Sequence, residues 1–123
     1  MRTVEFYKTI KGDCPVENYL DTLNDKQVEK ILWVLRAVKE LHTVPQNYLK
    51  KLVSTEDIWE VRIRSGKNIF RLLGFFYAGS LIILTNGFTK KTQKTPRNEI
   101  EIAEQRKIET EEHSLRLSLA LQG

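Results

Sequence analysis

The chain of 123 residues is 41% hydrophobic and 29% charged, which fits one soluble domain with a core of its own. No apolar run approaches the roughly 18 residues that a membrane span requires, and the first residues lack the apolar core of an export signal. The single cysteine, Cys14, excludes an internal disulfide and agrees with a reducing compartment, so we expect a cytoplasmic protein without membrane contact.

The formal net charge of +4 is unevenly distributed along the sequence. Residues 1–98 carry 17 Lys or Arg against 10 Asp or Glu, whereas residues 99–123 carry 3 against 6. A basic body indicates an anionic partner, of which nucleic acid is the commonest. Many equally basic soluble domains bind no nucleic acid, so charge alone leaves both interpretations open.

The first part of the chain predicts a strand followed by two helices. Residues 3–7 alternate as in a strand, and Pro15 suits the first turn of a short helix. Asn24, with Gln27 three residues later, forms a capping-box pattern for a second helix. That helix should end by about residue 43, because Pro45 disfavours helical geometry in the residue before it. We expect residues 45–55 to be a connection.

Three strands in succession are predicted from residue 58 onward, separated by turns at residues 65–68 and 78–80. In the first of them, one face carries Glu60, Arg62 and Arg64, and the other carries Trp59, Val61 and Ile63. In the next strand Arg71 lies on the face opposite to Phe70 and Leu72. The apolar run at residues 81–84 is typical of a central strand.

A last helix is predicted to begin at Pro96, with Thr95 as its N-cap, and to run to about residue 113. The leucines at alternate positions from 115 to 121 fit either a strand at a sheet edge or a disordered end. The sequence therefore predicts an α+β domain over residues 1–113 and a tail of unknown role at 114–123. The domain should contain a curved antiparallel sheet of about four strands, two amino-terminal helices packed on it and a carboxy-terminal helix, with the helices on one side.

Several catalytic constellations are missing from the sequence. It has no GxSxG motif, no phosphate-binding glycine loop and no Cys/His spacing for zinc, and its acidic residues do not cluster on the strands. We therefore predict no metal site and no cofactor.

Positive residues concentrate on the predicted strands and the loop that follows them. Arg62 and Arg71 should approach each other across a hairpin, which costs stability unless a carboxylate or an anionic ligand lies between them. A structural interpretation pairs both arginines with Glu60. A functional interpretation gives them a phosphate, because guanidinium groups match phosphate oxygens and stabilise charge that develops during attack at phosphorus.

A lysine crowded by other cations has a lowered pKa and can exchange a proton near neutral pH. Lys91 and Lys94 are the candidates for this role, because their loop should reach over the sheet. In RNA the neighbouring 2′-hydroxyl can be the nucleophile, so this chemistry requires no metal.

Five segments together resemble the HigB-type branch of the RelE/ParE toxin superfamily. They are CPVxxYL at 14–20, IWEVRI at 58–63, FRLL at 70–73, GFTKKTQKTP at 87–96 and AxxR at 103–106. The resemblance covers about residues 3–112, and the KKTQKTP segment is its most specific part. It implies a compact RelE-like fold and the toxin of a type II toxin–antitoxin pair, acting as a metal-independent, ribosome-dependent mRNA endonuclease.

The resemblance also suggests residue roles and partners. Arg62 and Arg71 match phosphate-binding positions, and Lys90 or Lys91 matches a basic position after the last strand. Two departures leave the acid–base assignment open: Glu60 stands where RelE is basic, and the last helix lacks the tyrosine that RelE uses. We therefore predict two sets of site residues: catalytic Arg62, Arg71, Lys91 and Lys94, and RNA-binding Arg64, Lys67, Lys90 and Arg97.

The implied partners are mRNA on the ribosome and a cognate antitoxin, which would be a helix-turn-helix DNA-binding protein. The toxin would contact operator DNA only through this antitoxin. Two alternative functions stay open on the same fold. One is a ParE-like inhibitor of DNA gyrase, and the other is a non-catalytic nucleic-acid-binding or co-repressor module.

Overall fold

The computed structural model describes residues 1–91 and 94–122, which form eight helices and strands. In chain order they are β1 (Thr3–Phe6), α1 (Pro15–Leu20), α2 (Asp25–Glu40), β2 (Leu49–Lys51), β3 (Trp59–Ser65), β4 (Asn68–Tyr77), β5 (Leu81–Lys90) and α3 (Arg97–Gln122). The predicted α+β class is confirmed. None of the helices in the described ranges is long and apolar enough to span a membrane.

The sheet has five strands in the order β1-β5-β4-β3-β2, rather than about four. The additional strand is β2, which lies in the predicted connection and pairs antiparallel with β3. The sheet is also mixed, because β1 runs parallel to β5 while the other neighbours are antiparallel. The prediction of a purely antiparallel sheet is wrong at this edge, where two strands far apart in sequence meet without a hairpin between them.

The helices lie on both faces of the sheet, which corrects the expectation that they share one side. Side chains of α1 and α2 pack with Val61, Leu72 and Leu84 on one face. On the opposite face Ile100 and Ala103 of α3 pack with Ile58, Leu73 and Phe75. The sheet interior is therefore buried on both faces where α3 covers it.

The capping box predicted for α2 is present. The Asn24 side chain accepts from the Gln27 backbone N–H at 2.9 Å, and the Gln27 side chain accepts from the Asn24 N–H at 3.1 Å. At the other end, Arg2 donates to the carbonyls of Val38 and Leu41 at 3.2 and 2.8 Å. This guanidinium satisfies carbonyls that the helix leaves without a partner, and it ties β1 to α2.

Both predicted hairpins are present, and one glycine inside β5 allows close packing. Gly66 in the first turn and Gly79 in the second have positive φ, of 61° and 93°. A Cβ on Gly87 would lie 2.5 Å from the Tyr19 ring and 2.6 Å from Leu72. Because no side chain fits there, Gly87 lets α1 lie directly against β5.

The helix α3 is longer than predicted and includes the leucine-rich tail. Residues 114–122 are neither a strand nor a disordered end but continue the helix, whose last core contact comes from Ala103. Leu115 and Leu119 fall on one side of this extension and Leu117 and Leu121 on the other, and all four are exposed. Alternation suggested a strand, but leucine is also a strong helix former and here it extends an existing helix.

Candidate nucleic-acid interface

The register between β3 and β4 brings the predicted arginines together. Arg62 lies directly opposite Arg71, and Arg64 lies opposite Ile69. Glu60, two residues before Arg62, is on the same face of β3. This is the face that α3 covers, where the helix packs around Ile58, Leu73 and Phe75. The end that carries the arginines is left open.

The open end of the sheet forms a cleft of about 690 Å³. We call it the cationic cleft, and its lining residues are Asn47, Arg62, Ile63, Arg64, Lys67, Ile69, Arg71, Lys90 and Lys91. Six of these nine residues are Lys or Arg, and none is acidic. A concave surface with one sign of charge concentrates anions of matching size.

A single carboxylate lies beneath the arginines. Glu60 is only 1% exposed, and its Oε1 lies 3.2 Å from the Nε of both Arg62 and Arg71. Its other oxygen, Oε2, accepts a hydrogen bond from the Thr95 hydroxyl. Glu60 therefore holds together two adjacent strands and the segment that leads into α3.

The ion pairs with Glu60 leave part of the guanidinium donors unused. Both Nε atoms are buried and lie at ion-pair distance from Oε1, yet neither N–H has a directed hydrogen bond. One negative charge also faces two positive ones. The arrangement thus holds an excess of positive charge that an anionic ligand can offset.

Burial lowers the pKa of Arg71, and the positive charges of Arg62 and Arg64 lower it further, while Glu60 opposes the shift. An arginine stays protonated even so, because its ordinary pKa lies far above neutral pH. The direction of the shift means that the charged form of Arg71 is disfavoured in this environment. A bound anion would relieve that penalty.

Lys90 enters the cleft from β5, where it lies opposite Ile69. Burial lowers its pKa, and the neighbouring positive charge of Arg71 lowers it further. Glu60 raises it in part, and Arg62 and Lys50 add smaller lowering effects. The lowered pKa that the sequence predicts for Lys91 or Lys94 is therefore found at Lys90.

The cleft includes six of the eight predicted site residues: Arg62, Arg64, Lys67, Arg71, Lys90 and Lys91. Lys94 is exposed and lies outside the lining. Arg97 is on the first turn of α3, outside the lining, where it pairs with Glu101 at 3.6 Å and Glu104 at 3.9 Å, and its part in RNA binding stays a prediction. Within the KKTQKTP segment, Thr92 and Gln93 lie outside the described residues.

Two residues of the site were not predicted. Asn47 lines the cleft from the turn before β2, and nothing in its sequence context indicates this. Thr95 was predicted to be a helix cap, and its hydroxyl donates to Glu60. Thr95 follows a cationic loop in the sequence. This position indicates a contact with Glu60 only once Glu60 is known to be buried beneath that loop.

Fold and site together define a small α+β domain whose sheet, uncovered at one end, presents the cationic cleft. Residues 18–108 match the family described as Phage derived protein Gp49-like (DUF891), and the chain belongs to that family. It is a toxin-like family of the RelE/HigB type that occurs in toxin–antitoxin systems, and membership implies an antitoxin as partner. No curated protein matches the chain.

Proposed function

We propose that the chain is the toxin of a type II toxin–antitoxin pair and acts as a metal-independent endonuclease on mRNA bound to the ribosome. The observation that carries the proposal is the cationic cleft in a member of a toxin-like family: among its nine described lining residues, six are Lys or Arg and none is acidic. RNA is a polyanion whose 2′-hydroxyl supplies an internal nucleophile, so a cleft that binds and orients phosphate can promote its cleavage.

In the proposed reaction a ribose 2′-oxygen attacks the adjacent phosphorus. The bond from the 2′-oxygen to phosphorus forms, the bond from phosphorus to the 5′-oxygen breaks, and a 2′,3′-cyclic phosphate and a 5′-hydroxyl result. Negative charge grows on the non-bridging oxygens during attack. Arg62 and Arg71 are the groups that would stabilise it, because their side chains are already fixed by Glu60 at 3.2 Å.

Two proton transfers accompany this reaction: the 2′-hydroxyl loses a proton and the 5′-oxygen gains one. We assign Lys90 to one of them, because its lowered pKa means that its ammonium group loses a proton more readily than that of an ordinary lysine. Lys91, its neighbour in the lining, is the second candidate. Arg64 and Lys67 would bind flanking phosphates, and Lys94, outside the lining, receives no catalytic role.

The antitoxin that family membership implies would be a helix-turn-helix DNA-binding protein, and operator DNA would be reached only through it. We place the complex in the cytoplasm, where ribosomes and mRNA are found. The proposal requires that antitoxin binding suppress cleavage, whether by covering the cationic cleft or by keeping the toxin from the ribosome.

The test is cleavage of a defined mRNA on purified translating ribosomes. We expect Arg71→Met to slow single-turnover cleavage by at least about 100-fold, the usual cost of losing one donor to a developing oxyanion. Arg36→Met is the matched control, because Arg36 is exposed on α2 and remote from the cleft. Unfolding curves establish that both variants are folded.

Two results would contradict the proposal. One is a folded Arg71→Met variant that cleaves at the wild-type rate. The other is a product with a 5′-phosphate, which would mean that water rather than the 2′-hydroxyl attacked phosphorus.

A further inference from the structure

Over the stretch in which the two strands pair, β5 contains one residue more than β4, because residues 81–90 lie opposite residues 69–77. Leu84 lies opposite Gly74, but the next pair in the register is Asn86 opposite Leu73. Thr85 is therefore the extra residue of a β-bulge. It is fully buried, and its hydroxyl donates to Asn86 Oδ1 at 2.6 Å, with the Leu73 carbonyl at 3.2 Å.

The bulge changes which side chains of β5 point into the cleft. Before it, the even-numbered residues Ile82 and Leu84 pack against α1 and α2. In an uninterrupted strand Phe88 and Lys90 would point the same way, since side chains alternate with a period of two. Instead Phe88 packs on the α3 side and Lys90 lines the cationic cleft. One inserted residue thus decides the direction of Lys90.

Side chains from two turns of α3 and from β5 hold the bulge. The Arg106 guanidinium donates to the carbonyl of Thr85 at 2.7 Å and lies over the Tyr7 ring, 5.3 Å from its centroid. Asn86 donates to the Glu99 carboxylate at 3.0 Å and to the Glu99 carbonyl at 3.3 Å. Arg106 itself lies outside the lining of the cationic cleft.

We propose that Asn86 and Arg106 are positioning residues that fix the Thr85 bulge against α3 and thereby aim Lys90 into the cationic cleft. The importance of this positioning for cleavage rests on the proposed function, whereas the placement of Lys90 does not depend on that function. The packing of α3 and the geometry of the cleft then depend on each other. The helix covers one half of the sheet, and it also sets the orientation of Lys90 in the other half.

The test follows Lys90 directly by NMR, without RNA. The wild type should show cross-relaxation between the side chains of Ile69 and Lys90, and Lys90 is assigned by loss of its signal in Lys90→Arg. In Arg106→Met, which keeps an apolar stem but loses the bond to Thr85, we expect that contact to weaken. We also expect the Lys90 titration midpoint to rise toward that of an exposed lysine. Arg106→Lys, which retains a donor, should restore part of both signals.

Lys107→Met is the matched control. Lys107 also bonds from α3 to a backbone carbonyl, that of Glu56 at 3.0 Å, but it does not touch the bulge. We expect this variant to leave the Ile69–Lys90 contact and the Lys90 midpoint unchanged. If Arg106→Met does not fold, Asn86→Ala, which leaves the Arg106 bond in place, carries the same comparison.

The positioning proposal is overturned if folded Arg106→Met or Asn86→Ala retains the wild-type contact and midpoint, or if Lys107→Met shifts them equally. Failure of the proposed function would look different. In that case the wild type would not cleave mRNA, while the Lys90 signals would still respond to Arg106→Met and not to Lys107→Met.

Discussion

Arg62 and Arg71 lie directly opposite each other on neighbouring strands, and the Nε atoms of both lie 3.2 Å from the same Glu60 oxygen. Two like charges in this position would repel each other strongly in a partly buried site. The Glu60 carboxylate between them reduces this repulsion, but its one negative charge does not neutralise both guanidinium groups. The structural and functional interpretations of the arginines are therefore compatible: the ion pairs hold the side chains, and the remaining positive charge is available to a phosphate.

Glu60→Gln should destabilise the protein by about 3 kcal/mol, the usual cost of removing one partner from a buried ion pair. The physical reason is that two facing guanidinium groups lose their shared counter-charge at a position only 1% exposed. The measurement is the free energy of unfolding in urea. Glu101→Gln is the control, because Glu101 is exposed and also pairs with an arginine. Equal stability of the two variants would contradict the shared ion pair.

The difference in free energy of unfolding between Lys90→Met and the wild type should depend on pH. It should favour Lys90→Met more at neutral pH than at high pH. The folded pKa of Lys90 is below the ordinary value of 10.5, so the unfolded state binds more protons between the two values. Wild-type stability contributed by Lys90 therefore rises with pH across that window, and the penalty on the charged form is fully present below it.

The advantage of Lys90→Met should accordingly shrink as pH approaches about 10.5 and be constant at lower pH. Urea unfolding at several pH values measures it. In an Arg71→Met background the change with pH should be smaller, because Arg71 is the largest charged contributor to the shift. A difference that does not vary with pH in either background would contradict the lowered pKa.

Deletion of residues 114–123 should change the free energy of unfolding by no more than about 0.5 kcal/mol. The leucines of this segment are 54–89% exposed, and the last residue of α3 in a buried cluster is Ala103. Urea unfolding of the shortened chain tests whether residues 1–113 form the folding unit that the sequence predicts. A loss of several kcal/mol would place the tail within the domain, and Leu115→Ala and Leu117→Ala would then identify the face involved.

Much of the fold could be predicted because its signals are local. The capping box of Asn24 and Gln27, the glycine-containing hairpin turns and the alternation in β3 each depend on residues close together in sequence. The face shared by Arg62 and Arg71 follows from hairpin pairing alone. What was mispredicted depends on distant contacts: β2 is only three residues long, β1 pairs with a strand far along the chain, and α3 packs on the second face.

The site shows the same limit. The strand pattern could place Arg62, Arg64 and Arg71 on one sheet, but the direction of Lys90 depends on the Thr85 bulge, which no local motif marks. Thr95 was predicted to be a cap because Thr often caps helices, and only the burial of Glu60 beneath it reveals the other partner. Arg97 carries the expected charge, but its own helix supplies the two glutamates that pair with it.

The most direct test of mRNA cleavage by this protein is to induce its expression in cells and to map the 5′ ends of cellular mRNA. DNA supercoiling is measured in the same cells. We expect new 5′-hydroxyl ends within translated regions, unchanged supercoiling, and no such ends for Arg71→Met. Intact mRNA with altered supercoiling would contradict the account and favour a gyrase inhibitor. Intact mRNA and unaltered supercoiling, with RNA binding that weakens steeply with salt, would favour a non-catalytic binding module.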